Sequence, residues 1–373
     1  MKDLTLILLA AGSSTRFENS VKKQWLRIAE EPLWSFVTDN FDKTQLFENI
    51  IITAHPDEVT FMHNYTSAKV IEGGQTRQQS LKNALSYVKT KHVLISDIAR
   101  CCIDIELINS LIQNRDKAEC IVPFLKANDT IVYEDETIDR SNIKRIQTPQ
   151  LSLTSALIKS LHTKEEFTDE SSAIVAAGFK RYFIQGCEDA HKITYIQDLK
   201  HIKCLRAPSN TTLVGNGFDV HEFEDNKEMF LGGVKIESDF GFKAHSDGDV
   251  AIHSLIDALL GAAGMGDIGM LFPDNDNRYK GIDSKELLAL TVLKLHQFGF
   301  IINNADITIV AETPRLANYK DEIRKVLSKI LKIKPIKLNI KATTTEKLGF
   351  VGRKEGVAVM SNATLNYYNW MEN

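Results

Sequence analysis

Phe218-Asp219-Val220-His221, followed further on by Lys243-Ala244-His245-Ser246-Asp247-Gly248-Asp249-Val250-Ala251-Ile252-His253, is the stretch that decides the fold of the second half of this 373-residue chain. In an extended chain, side chains two apart point to the same side, so Asp219 and His221 converge. Val250, Leu255, Ile256, Leu259 and Leu260 recur at helical spacing, which predicts a helix over 250–261 capped by Asp249 or Asp247. His253 lies in that helix. One carboxylate and two imidazoles make a donor set that suits zinc, and three protein ligands leave the fourth position open, as catalytic sites do. An Asp-X-His pair alone is usually a solvated strand end, and a lone helical histidine is usually a surface or core residue. The loops Gly266-Asp267-Ile268-Gly269 and Leu271-Phe272-Pro273-Asp274-Asn275-Asp276 add weight, because polar, glycine-punctuated loops after an apolar helix are a common setting for ligand contacts.

The rest of the chain sets bounds. Its length suits two domains, expected at 1–208 and 212–373, with a linker near 201–210 around Pro208. Hydrophobic residues make up 43% and charged residues 25%, an ordinary globular composition. A net charge of -4 argues against a nucleic-acid binder, while leaving room for local basic pockets that take small phosphates. The 5 cysteines show no CxxC pair and no disulfide-scaffold density, so Cys101 and Cys102 are expected as thiols in a reducing, cytoplasmic compartment. The apolar run 4–11 is too short to span a bilayer, and Arg16 and Glu18 fit a signal peptide badly. No membrane association is expected.

The first half alternates strand and helix, the pattern of a doubly wound α/β sheet. Strands are predicted at 4–9, 49–53, 68–72, 92–95, 119–123 and 181–185, with helices at 78–88, 151–161 and 169–177 and a hairpin-like excursion at 131–133. The first strand opens into Ala10-Ala11-Gly12-Ser13-Ser14-Thr15-Arg16. Small residues there let backbone N–H groups approach an anion, and Arg16 and Lys23 add charge. The loop is neither a Walker A sequence nor GxGxxG. Asp97 ends a buried strand, where α/β sheets gather their ligands, and is a suitable magnesium carboxylate or a simple turn cap.

Leu8–Arg16 with Lys23-Gln24, Gly73-Gly74, Arg77, Ser80, Ser96-Asp97-Ile98-Ala99-Arg100, Thr148-Pro149-Gln150, Thr168-Asp169-Glu170 and Lys192-Ile193-Thr194 together resemble the 2-C-methyl-D-erythritol 4-phosphate cytidylyltransferases. The resemblance covers residues 1–205 and implies a Rossmann-like nucleotidyltransferase domain that joins CMP from CTP to the sugar-alcohol phosphate. It implies that Arg16 and Lys23 stabilise the transition state. Arg140 and Thr148 would set specificity at the methylerythritol phosphate, with Thr130 and Lys192 beside them. Ala11, Gly12, Ser13, Gly74 and Ser80 would bind the nucleotide, and Asp97 would hold magnesium. Two positions depart from the family pattern: Lys22 and Cys101 stand where proline is common.

The second half predicts strands at 212–221, within 300–309, at 337–343 and at 356–367, a turn and strand over 230–236 with Gly232-Gly233, and helices at 250–261, 284–296 and 319–331, an α+β order. Lys341-Ala342-Thr343-Thr344-Thr345-Glu346-Lys347-Leu348-Gly349-Phe350-Val351-Gly352-Arg353 sets hydroxyls, a carboxylate and cations at one loop. With the Asp219–His253 stretch and the loops at 266–276, it resembles the 2-C-methyl-D-erythritol 2,4-cyclodiphosphate synthases over 212–373. The resemblance implies zinc on Asp219, His221 and His253, with His245 and Thr344 positioning substrate or stabilising the transition state. It implies substrate contacts from Val220, Ser246, Asp267, Ile268, Gly269, Phe272, Pro273, Asp274, Asn275 and Asp276. Ala342, Thr343, Thr344, Thr345, Phe350 and Arg353 would hold the cytidine diphosphate, with 311–317 around its base and a second metal, magnesium, on Glu346. Asn275 stands where threonine is frequent. Asp257, one helical turn beyond His253, is a candidate to orient that imidazole. The family association also implies a homo-oligomer built on a trimer of the second domain. A first half reduced to an assembly module, or a sugar-nucleotide pyrophosphorylase fused to a zinc hydrolase, are the competing readings.

Overall fold

The structure, a computed structural model, describes residues 3–17, 19–63, 65–244, 247–273, 275–279 and 281–372. The chain divides into two compact units, Pro208–Trp370 forming the second and the remainder the first. No described helix is long and apolar enough to cross a membrane.

The first unit is built on Leu4–Leu9 (β1), Asn49–Ala54 (β2), Lys69–Glu72 (β3) and His92–Asp97 (β4), joined by Cys120–Lys126 (β5), Lys144–Ile146 (β6), Gln150–Leu153 (β7) and Arg181–Gln185 (β8). The strands lie in the order β6-β5-β7-β4-β1-β2-β3, with β8 on β5. β1 to β4 run parallel, whereas β6 and β7 run antiparallel to β5. β1 is buried on both faces, as its continuous apolar run requires when helices cover the sheet on either side. Ile7, Ile51, Val93, Ile95 and Val122 fill one such layer under Leu81, Leu85, Leu157 and Ile174. Leu9 pairs with both Thr53 and Asp97, so the loops leaving β1 and β4 open side by side.

Two expectations for this unit are corrected. The helix foreseen over 151–161 begins only at Thr154; Gln150–Leu153 is a strand between β4 and β5. Its polar–apolar alternation, Gln-Leu-Ser-Leu, is a strand period that the following apolar residues obscured. The cysteines are not all thiols: Cys102 and Cys204 are joined as a disulfide, and Cys101 is a buried free thiol.

The second unit carries a five-stranded sheet from Leu213–Asp225 (β9), Phe240–Phe242 (β10), Phe300–Val310 (β11), Leu338–Thr343 (β12) and Gly356–Tyr367 (β13), in the order β10-β9-β13-β11-β12. The helices Val250–Ala263, Ser284–Gln297 and Lys320–Leu331 complete the expected α+β arrangement. The turn and strand expected over 230–236 are a small hairpin, Met229–Leu231 with Val234–Ile236, folded at Gly232-Gly233 as the glycine pair suggests.

Helix Val250–Ala263 touches β9 almost backbone to backbone. A Cβ built on Gly217 would lie 1.9 Å from the Ser254 carbonyl oxygen, and one on Gly215 would lie 2.0 Å from that of Ala258. Only glycine fits at both positions. Ser254 Oγ then bonds the Gly217 carbonyl at 3.1 Å and Ser361 Oγ at 2.9 Å, tying helix to sheet. Replacing Gly217 by alanine is expected to destabilise the second unit by about 2–3 kcal/mol through overpacking. Denaturant unfolding monitored on this unit checks it; an unchanged midpoint would refute the close-packing argument.

Candidate active sites

In the first unit, the loops after β1 and β4 and the turn before the helix Arg77–Leu85 surround a cavity of about 680 Å³. Ala11, Gly12, Ser13, Arg16, Lys23, Gly74, Ser80, Asp97 and Lys192 all line it. Ser80 Oγ accepts from the Gly74 amide at 2.9 Å and donates to the Thr76 carbonyl at 3.0 Å, fixing the glycine turn. Thr148 is buried behind Asp97, whose amide donates to Thr148 Oγ1 at 3.3 Å. Thr130 and Arg140 are not brought to the cavity. Both are exposed near the hairpin Ile131–Tyr133/Glu136–Ile138, where Arg140 Nη1 donates to the Asn128 carbonyl at 2.6 Å.

The cavity is electrostatically tight. Arg77 Nε donates to Asp97 Oδ1 at 3.1 Å, Lys192 Nζ to Asp97 Oδ2 at 2.5 Å, and Arg77 Nη1 to the buried Glu170 at 2.5 Å. Burial would raise the Asp97 carboxyl, but Arg77 and then Lys192 outweigh it and hold the group well below the usual carboxylate range. Lys23 is pulled down to about 8 by burial first, then by the charges of Lys192 and Arg16. Its Nζ donates to the Ile193 carbonyl at 3.1 Å. Asp97 is the carboxylate on which a hard divalent cation would sit, once Lys192 gives up the oxygen it holds.

Lys22 has a structural partner rather than a place in the cavity lining. Its Nζ donates to Glu58 at 2.5 Å, and Glu58 is fully buried. Gln24 Nε2 donates to the same carboxylate at 3.1 Å and to the Gly12 carbonyl at 3.2 Å, and Ser14 Oγ donates to Gln24 Oε1 at 3.2 Å. Ser14 Oγ also receives the Lys23 amide at 3.1 Å. Glu58 therefore anchors the small-residue loop from below. No sequence signal singled it out, since it lies in the helix Pro56–His63, remote in the chain from the loop it holds.

In the second unit, Asp219, His221 and His253 converge. Asp219 Oδ2 lies 3.2 Å from His221 Nε2 and 3.5 Å from His253 Nδ1. One donor atom from each lies within 4.8 Å of the others, as a single bound metal requires. Burial would raise Asp219, but the bonds to His221 and His253 hold it well below its ordinary value. The outward nitrogens are also engaged. His221 Nδ1 meets the Gly248 carbonyl at 2.8 Å, and His253 Nε2 meets Ser284 Oγ at 3.0 Å. Ser284 is fully buried and donates to Asp247 Oδ1 at 2.5 Å. Each imidazole is thus held from behind with its free nitrogen facing the carboxylate, a fit to a three-ligand metal centre.

Asp257 does not orient His253. Its Oδ1 accepts from the Ile268 amide at 2.8 Å and so holds the loop at Asp267, while Ser284 takes the position foreseen for it. Nothing in the local sequence pointed to Ser284, 31 residues from His253. The expected substrate contacts His245, Ser246 and Asp274 lie outside the described residues. Asp267 caps Ile268–Leu271, Phe272 is buried, and Asp276 pairs with Arg278 at 2.6 Å. Thr344 Oγ1 donates to Glu346 at 2.9 Å, Glu312 accepts the amides of Thr345 and Lys347, and Arg353 is paired with Glu355 at 2.8 Å. Phe350 is half-exposed at 38%.

A cation-lined cavity at the switch point of an α/β sheet, and a carboxylate–imidazole metal centre on an α+β sheet, define a nucleotidyltransferase fused to a second phosphate-handling enzyme. Residues 4–205 match the family model of 2-C-methyl-D-erythritol 4-phosphate cytidylyltransferase, and residues 212–366 match that of the YgbB family. The chain is 63% identical over 367 residues to the bifunctional enzyme IspD/IspF of Sulfurimonas denitrificans, covering 98% of this chain and 95% of that protein. It is 53% identical over 371 residues to the bifunctional enzyme IspD/IspF of Aliarcobacter butzleri, covering 99% of each. The solved structure of the bifunctional IspDF from Campylobacter jejuni superposes with a TM-score of 0.90 at 46% identity, over 99% of this chain and 100% of that one. The chain belongs to the bifunctional IspD/IspF family. It is a cytidylyltransferase and a cyclodiphosphate synthase of non-mevalonate isoprenoid biosynthesis.

Two outcomes follow from the geometry. Replacing Ser284 by alanine is expected to weaken divalent-metal binding at Asp219, His221 and His253 about 10–100-fold, read by chelator competition. An unchanged affinity would remove Ser284 from the site. For the transferase, kcat/KM for CTP is expected to fall as pH rises through about 8, where Lys23 loses its proton. K23R, which stays charged, should lack that fall; an identical fall in K23R would assign it to another group.

Proposed function

We propose that the cavity of the first unit transfers CMP from CTP to 2-C-methyl-D-erythritol 4-phosphate by neutralising charge, without a general base. The attacking oxygen belongs to an already ionised phosphate, so the barrier is set by repulsion between two anions and by charge at the α-phosphorus. Arg16 and Lys23 offset that charge. The backbone at Ala11, Gly12 and Ser13, with Gly74 and Ser80, cradles the nucleotide phosphates. Lys192 faces the sugar-alcohol phosphate, and Thr148 supports the site from behind Asp97, whose amide it accepts. Magnesium held by Asp97 would neutralise triphosphate oxygens and favour departure of pyrophosphate. The concentration of cations around one cavity at the β1/β4 switch point supports this reading.

The second unit, in the same reading, cyclises 4-diphosphocytidyl-2-C-methyl-D-erythritol 2-phosphate. The 2-phosphate attacks the β-phosphorus of the same molecule, and CMP leaves. Asp219, His221 and His253 would hold zinc, which supplies Lewis-acid polarisation of a phosphate oxygen. Thr344, and His245, position the reacting groups. Ala342, Thr343, Thr345, Phe350 and Arg353 bind the cytidine diphosphate, Glu346 would hold a magnesium ion that supplies charge neutralisation, and Asp267, Ile268, Gly269 and Phe272 contact the methylerythritol. Because both reacting groups belong to one molecule, holding it folded lowers the barrier through lost freedom already taken up on binding. The single observation that supports this half is the meeting of Asp219, His221 and His253. Val214, Phe218, Val220 and Met360 form an exposed apolar face on the sheet opposite the helices, which suits the trimer we propose for this unit.

Separate assays of the two half-reactions test the assignment. R16A is expected to lower pyrophosphate release from CTP by about 10²–10³-fold while CMP release from the diphosphocytidyl substrate is kept. D219N is expected to do the reverse and to lose bound zinc. Retention of cyclisation in D219N would overturn the metal reading.

A further inference from the structure

Cys101, Cys102 and Cys204 bring their sulfurs within 4.8 Å of one another in the first unit. Cys102 and Cys204 form a disulfide across 102 residues, and Cys101 Sγ lies 3.9 Å from Cys204 Sγ. Neither described active site uses these residues. Both bonded cysteines are part-exposed, whereas Cys101 is only 2% exposed.

The position of the bond gives it a consequence. Cys102 lies in the loop between Asp97 and the helix Ile105–Gln113. Cys204 ends the segment that carries Lys192 and Ile193. Between them the two strips are already laced: the Ile193 amide donates to the Ala99 carbonyl at 2.9 Å, and Arg100 Nη1 donates to the Ala190 carbonyl at 2.5 Å. Lys192 reaches back to Asp97, and Lys23 to the Ile193 carbonyl. The disulfide closes the open end of this lacing.

We propose that Cys102 and Cys204 are a reversible thiol–disulfide site whose oxidised form clamps the Lys192 segment onto the Asp97 loop, and whose reduction loosens the transferase cavity alone. The co-reactant is a low-molecular-weight disulfide. The Cys204 thiolate attacks one sulfur of it, forming a mixed disulfide and releasing one thiol. The Cys102 thiolate then attacks the Cys204 sulfur, forms the intramolecular bond and releases the second thiol. The two protons lost by Cys102 and Cys204 end on the two released thiols. A dithiol reductant reverses the sequence.

Cys101 stands outside the exchange. Burial pushes its thiol up to about 12, so little thiolate forms to attack the neighbouring bond. A structural zinc site is the poorer fit to the same atoms. Zinc takes four ligands in structural sites, and among the described residues this cluster offers three. In a reducing compartment, disulfides are characteristically transient and regulatory, which suits a part-exposed pair placed beside an active site.

The inference rests on Lys192 and Lys23 serving the transferase, so the test separates chemistry from activity. The full-length protein is equilibrated with oxidised glutathione or with dithiothreitol, alkylated under denaturing conditions and mapped by mass spectrometry. The oxidised sample should yield the Cys102–Cys204 linked peptides with Cys101 alkylated. The reduced sample should show a several-fold higher KM for methylerythritol phosphate, restored on reoxidation, with cyclisation equal in both states. C204S should behave as the reduced protein under either condition, and C101S as the unmodified protein. Free alkylation of Cys102 and Cys204 after oxidation, a bond to Cys101, or equal KM values in the two states would overturn the proposal. So would an extra equivalent of zinc in the reduced protein that C101S loses.

Discussion

The contact between helix Val250–Ala263 and β9 is the constraint on which the metal centre depends. Asp219 and His221 are fixed relative to each other by strand geometry, but His253 arrives from a separate element. Its distance to them is set by how far the helix backbone stands from the strand. At Gly215 and Gly217 that separation is reduced to the contact distance of backbone atoms. Any side chain there would push His253 outward, and a donor set that tolerates only tenths of an ångström would open. The start of the helix is fixed as firmly. Asp249 is fully buried and accepts the amides of Gly232, Gly233 and Ile252, so the hairpin and the helix share one carboxylate. Gly248, next to it, turns its carbonyl to His221.

The first unit solves a different problem. It must hold several cations close together before any phosphate arrives. Asp97 and Glu170 meet this need by neutralising Arg77 and Lys192, and burial strengthens each pair because little solvent screens it. Substrate phosphates can then replace carboxylate contacts rather than create charge pairing anew, and little rearrangement is needed. Lys23 is displaced downward by burial first and then by the charges of Lys192 and Arg16, which Asp97 and Asp198 only partly offset. The loop that carries Arg16 and Lys23 is secured by Glu58 through Lys22 and Gln24. Lys22 thus supplies by an ion pair some of the loop rigidity that a proline at that position would supply by its ring.

Much of this was legible in the sequence because it lies in short-range patterns. The strand period of Asp219 and His221, the helical period after Asp249, and the small-residue loop after β1 each fit within a few residues. The family resemblance carried the rest of the catalytic lists. What escaped was held by contacts between distant segments. Ser284 behind His253, Glu58 under the glycine loop, and Cys204 bonded to Cys102 are ordinary residues in their own neighbourhoods, and only the fold gives them partners. Asp257 failed for the related reason that helical spacing puts a side chain near a face but does not choose its partner. Asp257 takes the backbone amide of Ile268 instead. Gln150–Leu153 escaped because four alternating residues followed by an apolar helix read as one helix.

The two sites also divide the handling of phosphate charge in opposite ways, and the difference follows from what each must bring together. The transferase joins two separate anions, so positive charge must be present on both reactants' sides of the cavity, and Arg16 and Lys23 after β1, Arg77 and Lys192 supply it. The cyclase acts on one molecule that carries both reacting phosphates. There the harder requirement is to bend the substrate, and a single metal centre can serve as the pivot. Several side-chain cations of the second unit lie instead in local pairs, among them Arg278 with Asp276 and Lys341 with Asp306. A loss of rigidity therefore acts differently in each: loosening the first unit separates cations that act jointly, whereas Asp219, His221 and His253 are held together by the close backbone packing at Gly215 and Gly217.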